Sequence, residues 1–540
     1  MRKRANTYAL RSIPAVLILS ALYLVPLSFI FLRAFDNGAE ALKEVFTSPY
    51  TYKLLSFSIK QALLSAAISV LASLPFAAFF SKYTFPGRSL ILALSSLSFT
   101  MPAILVVLGF VIFYGNNGFL NRALMSLFGL ETAPLKILYS YTAIIFAHVY
   151  LNFPVSLSLL TGAWSGMSDR EEYASYLMGK GRIRTFLSIT LPKLKGTLIS
   201  AFGLIFLFSF SSFMIVLVLG GKPSYYTLEA EIYKRTYTDL APSSSASLSI
   251  FVFVITTIFL LLISGGERLN KRPRGERILI KARRGKLLKA FLLCALILLF
   301  ILPPMLSIVY RAFFDRDGIF TLEAWENIMQ SSIGLESSSK SAIINSLLIA
   351  LASALASVKL AESIVLYSAR KNSKLLPVLS SLPLATGSVT LGLGFSFAAS
   401  CIPSSSILTS YLLVFFSHLV ITLPFAVRTL LPGARRIPTS MINASLTLGA
   451  SERRTIRRIE IPELTSYRRK AFAFAFALSL GEVNATLTLA EGRVVTLPIL
   501  LYRMISSYNY QGASALGTIL LIEALIFFLI GEKGNRNATS

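Results

Sequence analysis

Runs of about twenty mostly apolar residues recur from one end of this chain to the other, and a helix of that length crosses a hydrocarbon core ~30 Å thick. Inside lipid every backbone polar group must be satisfied within the structure, and runs lacking a two-residue alternation can do so only as α-helices. Twelve spans are expected, at 13–32, 62–80, 89–113, 138–160, 197–219, 247–264, 288–309, 342–361, 376–398, 408–428, 471–490 and 514–530. Only 14% of the 540 residues are charged, against about 25% in soluble domains. The expected fold class is therefore an all-α polytopic membrane protein.

The net charge of +27, from 52 Lys+Arg against 25 Asp+Glu, raises the question of a nucleic-acid partner. Its distribution answers it. With the amino terminus cytoplasmic, as Arg2, Lys3, Arg4 and Arg11 suggest, the basic excess falls in the segments on that same side, as the positive-inside rule requires. The charge then serves topology and contact with anionic membrane lipid; no nucleic-acid partner is implied. Twelve spans return the carboxyl terminus to the cytoplasm as well.

The chain is also a repeat. Its two histidines, His148 in FAHVYLNFP and His418 in FSHLVITLP, lie 270 residues apart, and Pro154 and Pro424 follow at the same offset. Ala174-Ser175 matches Ala444-Ser445, Gly179 matches Gly449, and Leu191-Pro192 matches Ile461-Pro462 in that register. Two halves of six spans each are expected, residues 1–264 and 287–540, joined by a basic cytoplasmic linker at 265–286. Six is even, so the halves share one orientation and form parallel repeats, an arrangement used by transporters.

No catalytic constellation is legible. Two histidines and the lone Cys294 and Cys401 provide no zinc or redox framework, and neither GxSxG nor GxxxxGK[ST] occurs. No cofactor is implied, and any ATP hydrolysis would occur on another polypeptide. The informative segments are the loops before the fifth span of each half, EEYASYLMGKGRIRTFLSITLP (171–192) and INASLTLGASERRTIRRIEIP (442–462). Each has a short helical stretch, a glycine suited to a left-handed turn, a second amphipathic stretch, and a proline thirteen residues after the glycine. Proline suits the first turn of the following helix. Two such loops predict paired surface helices on the cytoplasmic side.

These residues resemble the EAA motif of permease subunits in binding-protein-dependent ABC importers, and the whole chain resembles two such permeases fused. FSFSSFMIVLVLGGKPSYYTLEAEIYKRTY (208–237), FALSLGEVNATLTLAEG (476–492) and TLPILLYRMISSY resemble the group that imports thiamine and ferric iron, the thiamine branch most. The motif's glutamate is replaced by Tyr173, with Glu172 beside it, and by Asn443; its second alanine is Ser175 and Ser445. The resemblance implies a type I ABC importer permease fold in the cytoplasmic (inner) membrane. It implies two cytoplasmic ABC ATPase subunits and a periplasmic or lipid-anchored solute-binding protein as partners, with thiamine or its phosphate esters as solute and ferric iron next. Contact with the ATPases would fall on Glu172, Ala174, Ser175, Gly179, Leu191, Pro192, Ala444, Ser445, Gly449, Ile461 and Pro462.

Ionisable residues inside spans cost a few kcal/mol each and point to pathways. Glu482, with Asn484 nearby and Ser212 as its repeat mate, is read as marking either the expected substrate pathway or a hydrogen-bonded contact between helices. Glu523, and Lys359 with Glu362, are read as structural. The competing class is an ion-gradient-driven secondary transporter with 6+6 spans, which gives the two matched loops no role.

Overall fold

The structure, a computed structural model, describes residues 6–36, 38–267, 279–330, 339–373, 375–402, 406–489 and 493–536. Half of the expected linker, 268–278, lies outside the described residues. Its last part is held: Ile280–Lys281 pairs in parallel with Tyr83–Thr84, and Lys286 sits 5.2 Å from the Tyr83 ring centre.

Ten helices among the described residues are long and apolar enough to cross a membrane, and a bent pair, Leu376–Ala385 with Ser388–Ser400, makes up to eleven. The expectation of twelve continuous spans is corrected at three places. The 89–113 run is two helices, Arg88–Thr100 and Ala103–Tyr114; Met101 is held extended (ψ 140°) by the clash between Pro102 and a helical predecessor. The 376–398 run turns through 89°. The 471–490 run breaks after Leu480 and resumes as Asn484–Leu489, and its first part is too short and too basic at its start to qualify alone. At the last break Glu482 Oε1 accepts the Ala485 N–H at 3.0 Å and so caps the helix that begins there.

The first helix of each expected half packs on the other half. Asn6–Ala34 lies against Ser339–Lys371 and Ser388–Ser400, while Gly285–Phe313 lies against Arg88–Thr100 and Ala103–Tyr114. Both crossings are closed by a proline over a glycine. A Cβ on Gly109 would lie 2.8 Å from the Pro304 carbonyl oxygen, and one on Gly394 would lie 2.6 Å from that of Pro26. Only a residue without a side chain lets the backbones approach this closely, the usual device of helix contacts in lipid. The outer faces stay apolar and uncovered, as at Leu17, Leu24 and Leu32, which suits contact with acyl chains.

Candidate functional site

The two loops fold alike. In the first, Arg170–Leu177 is a helix that ends at Gly179, whose φ is +78°. The Gly179 N–H donates to the Tyr176 carbonyl (3.0 Å) and the Lys180 N–H to that of Ser175 (3.1 Å), the paired bonds of a left-handed helix terminus. In the second, Thr439–Thr447 ends at Gly449 (φ +86°), with Gly449 to Leu446 at 3.2 Å and Ala450 to Ser445 at 3.1 Å. Ser175 and Thr185 hydroxyls meet at 2.9 Å, and Ser445 and Thr455 at 3.0 Å. The serines at the motif's second alanine therefore pin the two arms of each loop together.

At each tip a leucine points away from the protein. Leu177 is 89% exposed and Leu448 88%. Ala174 and Ala444 are also exposed, while Glu172 and Ser175 face inward. Leu191-Pro192 and Ile461-Pro462 stand in the first turn of the helices that begin there, as expected, but no loop separates them from the surface arm before. Arg182–Thr185 runs through a π-helical turn, Phe186–Thr190, straight into Leu191–Phe210, whereas Glu452–Thr455 runs through Ile456–Glu460 into Ile461–Glu463 and, after a turn at Leu464, Thr465–Leu480. The wider π turn leaves room for a proline ring and its missing donor. Each surface helix is thus the end of a rod reaching into the bundle, roughly 40 Å long in the first half at 1.5 Å per residue.

Each rod base is anchored by a buried carboxylate on a cation, and the carboxylates come from different positions. In the first loop, Glu172 accepts from Lys82 Nζ (2.9 Å) and Thr190 Oγ1 (2.9 Å). In the second, the acid is Glu460, the repeat mate of Thr190. It is fully buried, takes the Arg370 guanidinium at 2.9 and 2.8 Å, and accepts the Tyr8 hydroxyl on its other oxygen. Sequence reasoning missed Glu460, Arg370, Lys82 and Tyr8. The available signal was an acid at 460 amid Arg453, Arg454, Arg457 and Arg458, with a basic residue 90 positions before the acid in both halves.

The inner ends of the rods break in step, after Phe210 and after Leu480. There they line a cavity of about 250 Å³ holding Ser212, Glu482 and Asn484, the three expected pathway residues, together with His148, Phe208 and Phe425. Asn484 Nδ2 donates to Ser388 Oγ (2.8 Å), and the Phe208 and Phe425 rings stack at 6.0 Å. His418 is tied to Ser479 and Thr486, both at 2.8 Å, and does not line this cavity. Glu362 pairs with Arg468, not with Lys359; Glu523 lies outside the cavity. One carboxylate, stacked rings and small polar groups suit a compact cation with aromatic character.

Residues 69–274 match the family described as binding-protein-dependent transport system inner membrane component. The chain is 28% identical over 515 residues to the thiamine transport system permease protein ThiP of Brucella abortus, covering 93% of this chain and 91% of that protein. To the ThiP of Escherichia coli K12 it is 27% identical, covering 91% and 90%. To the ferric transport system permease protein FbpB of Actinobacillus pleuropneumoniae it is 24% identical, covering 97% and 78%.

Proposed function

We propose that this chain, which matches the binding-protein-dependent transport inner membrane component family over residues 69–274, is the membrane subunit of an ATP-driven importer of thiamine or its phosphate esters. Residues 1–264 and 287–540 act as two fused permease halves, with 265–286 and both termini in the cytoplasm. A solute-binding protein delivers the solute to the outer face. Two cytoplasmic ATPase subunits each seat one loop tip, Leu177 beside Gly179 and Leu448 beside Gly449. Their closure moves the two rods, and the rods carry the broken ends at Ser212 and Glu482 with them. The permease makes no bond; it contributes differential contacts to two states of the cavity.

The observation that carries this reading is that the arm after each loop's glycine leads to the cavity wall, unbroken from Arg182 to Phe210 in the first half and with one turn at Leu464 in the second. A thiazolium ring is a delocalised cation, so Glu482 supplies the opposite charge, and the Phe208 and Phe425 rings supply faces for a flat solute. Glu482→Gln keeps the bond to the Ala485 N–H and removes only the charge. A hydrogen bond to a charged group contributes about 1.5–3 kcal/mol, so thiamine uptake by this variant should show KM raised roughly tenfold or more, with normal insertion. Glu482→Leu also loses the helix cap and should fall further. Wild-type uptake by the leucine variant removes Glu482 from the pathway.

A further inference from the structure

At the end of the bundle opposite the two loops lies a second cavity, of about 210 Å³, that the transport scheme leaves unused. Its floor is the Gly115-Asn116-Asn117-Gly118 turn, and three arginines border it: Arg122 from the first half, Arg311 and Arg316 from the second. Each guanidinium has five N–H donors. Between them, Arg122 reaches the carbonyls of Asn117 (3.0 Å) and Arg316 (2.6 Å), and Arg311 reaches that of Phe314 at a long 3.5 Å. Among the described residues no carboxylate lies within ion-pair distance of any of the three. Asp315 and Asp317 share the turn with Arg316, but Asp315 is engaged by the N–H groups of Asp317 and Ile319. Like charges gathered around an open hollow, with most donors unspent, suit a multivalent oxyanion, because Arg presents paired donors in the geometry of phosphate oxygens.

The surroundings fix the depth. Phe119 meets Tyr310 edge-on at 5.1 Å, Tyr310 stacks on Phe314 at 4.4 Å, and Tyr139 and Tyr510 line the cavity. Such an aromatic belt marks the level of lipid headgroups. The Phe119–Phe128 helix beside it exposes Leu127 and Phe128, as a helix lying in that interface does.

We propose that this cavity binds the phosphate of an anionic phospholipid headgroup, clamping the Phe119–Phe128 helix of one half to the end of the Gly285–Phe313 helix of the other. The proposal concerns binding alone and stands apart from the assignment of solute and ATPase. The test uses the purified full chain in detergent, titrated with phosphatidylglycerol, phosphatidylcholine or inorganic phosphate, reading the thermal midpoint and the lipid retained in native mass spectra. Phosphatidylglycerol should raise the midpoint and be retained; phosphatidylcholine should do neither. The Arg316 side chain holds no partner among the described residues, so Arg316→Gln should leave the lipid-free midpoint unchanged while weakening phosphatidylglycerol about tenfold, the worth of one charged hydrogen bond. Arg311→Gln should weaken phosphatidylglycerol by a similar factor, and Arg316→Lys should lie between. Equal responses to the two lipids, or undiminished binding by both glutamine variants, would overturn the proposal. Protection by inorganic phosphate but not by phosphatidylglycerol would give the cavity to a soluble phosphate and overturn the lipid assignment.

Discussion

Glu460→Ala should lower the stability of the second loop by about 3–5 kcal/mol, the cost of leaving one partner of a buried ion pair alone. The Arg370 guanidinium would lose its carboxylate partner at a site where Glu460 is fully buried. The expected readings are a lower thermal midpoint and faster tryptic cleavage at Arg453, Arg454, Arg457 and Arg458, all exposed on the freed segment. Arg370→Ala should match it. Arg370→Met with Glu460→Leu should recover much of the loss, since replacing both members of a buried pair by apolar groups is often neutral. Tyr8→Phe removes one hydrogen bond and should cost only about 1 kcal/mol. In the first loop the effect should be smaller, because the Lys82 side chain is 30% exposed against 11% for Arg370, and an exposed partner is screened by water. An unchanged midpoint in Glu460→Ala would mean that this pair does not hold the loop.

The second large effect is on coupling. Leu177→Asp and Leu448→Asp change side chains that touch almost nothing in the isolated chain, so its thermal midpoint should stay put. If each leucine fills an ATPase groove, burying it contributes about 1.5–3 kcal/mol, and an unpaired aspartate in its place costs more. Uptake and solute-stimulated ATP hydrolysis should therefore fall more than tenfold in either variant, while loaded binding protein still docks on the outer face. Gly179→Asp and Gly449→Asp should act in the same direction through a different cause. Nothing lies within 4 Å of a Cβ at either position, so there is no clash; the positive φ imposes roughly 1–2 kcal/mol of strain on any other residue. Wild-type uptake and stimulation in all four variants would leave the loops without a coupling role.

Much of this was legible in the chain because it is local or periodic. Apolar runs report spans whatever surrounds them, and Gly179 and Gly449 announce left-handed turns because few other residues tolerate one. The 270-residue register places Ser212 opposite Glu482, and the structure sets both on one cavity. What escaped depends on partners distant in sequence. The exchange of first helices is visible only as glycines at 109 and 394 meeting prolines at 304 and 26, contacts that no window of sequence contains. Glu460 was hidden because an acid among four arginines reads as a solvated surface run, yet Arg370 draws it into the interior. The break at Gly481-Glu482 escaped because Glu482 was read as a residue within a span, whereas its carboxylate caps the next helix. Pro192 and Pro462 signal a helix start, and the π turns before them join it to the surface arm without a loop, through to Phe210 in the first half and to a turn at Leu464 in the second.

The central claim is that ATP hydrolysis on partner subunits, acting through the Gly179 and Gly449 loops, drives uptake through the cavity at Glu482. It is tested most directly in sealed vesicles holding this chain with its candidate ATPase inside and binding protein outside, with ionophores collapsing every ion gradient. The account predicts labelled thiamine accumulating only when ATP is enclosed and binding protein is present, at a rate the ionophores do not change. Accumulation by this chain alone, without ATP and abolished by the ionophores, would contradict it and establish a gradient-driven transporter instead.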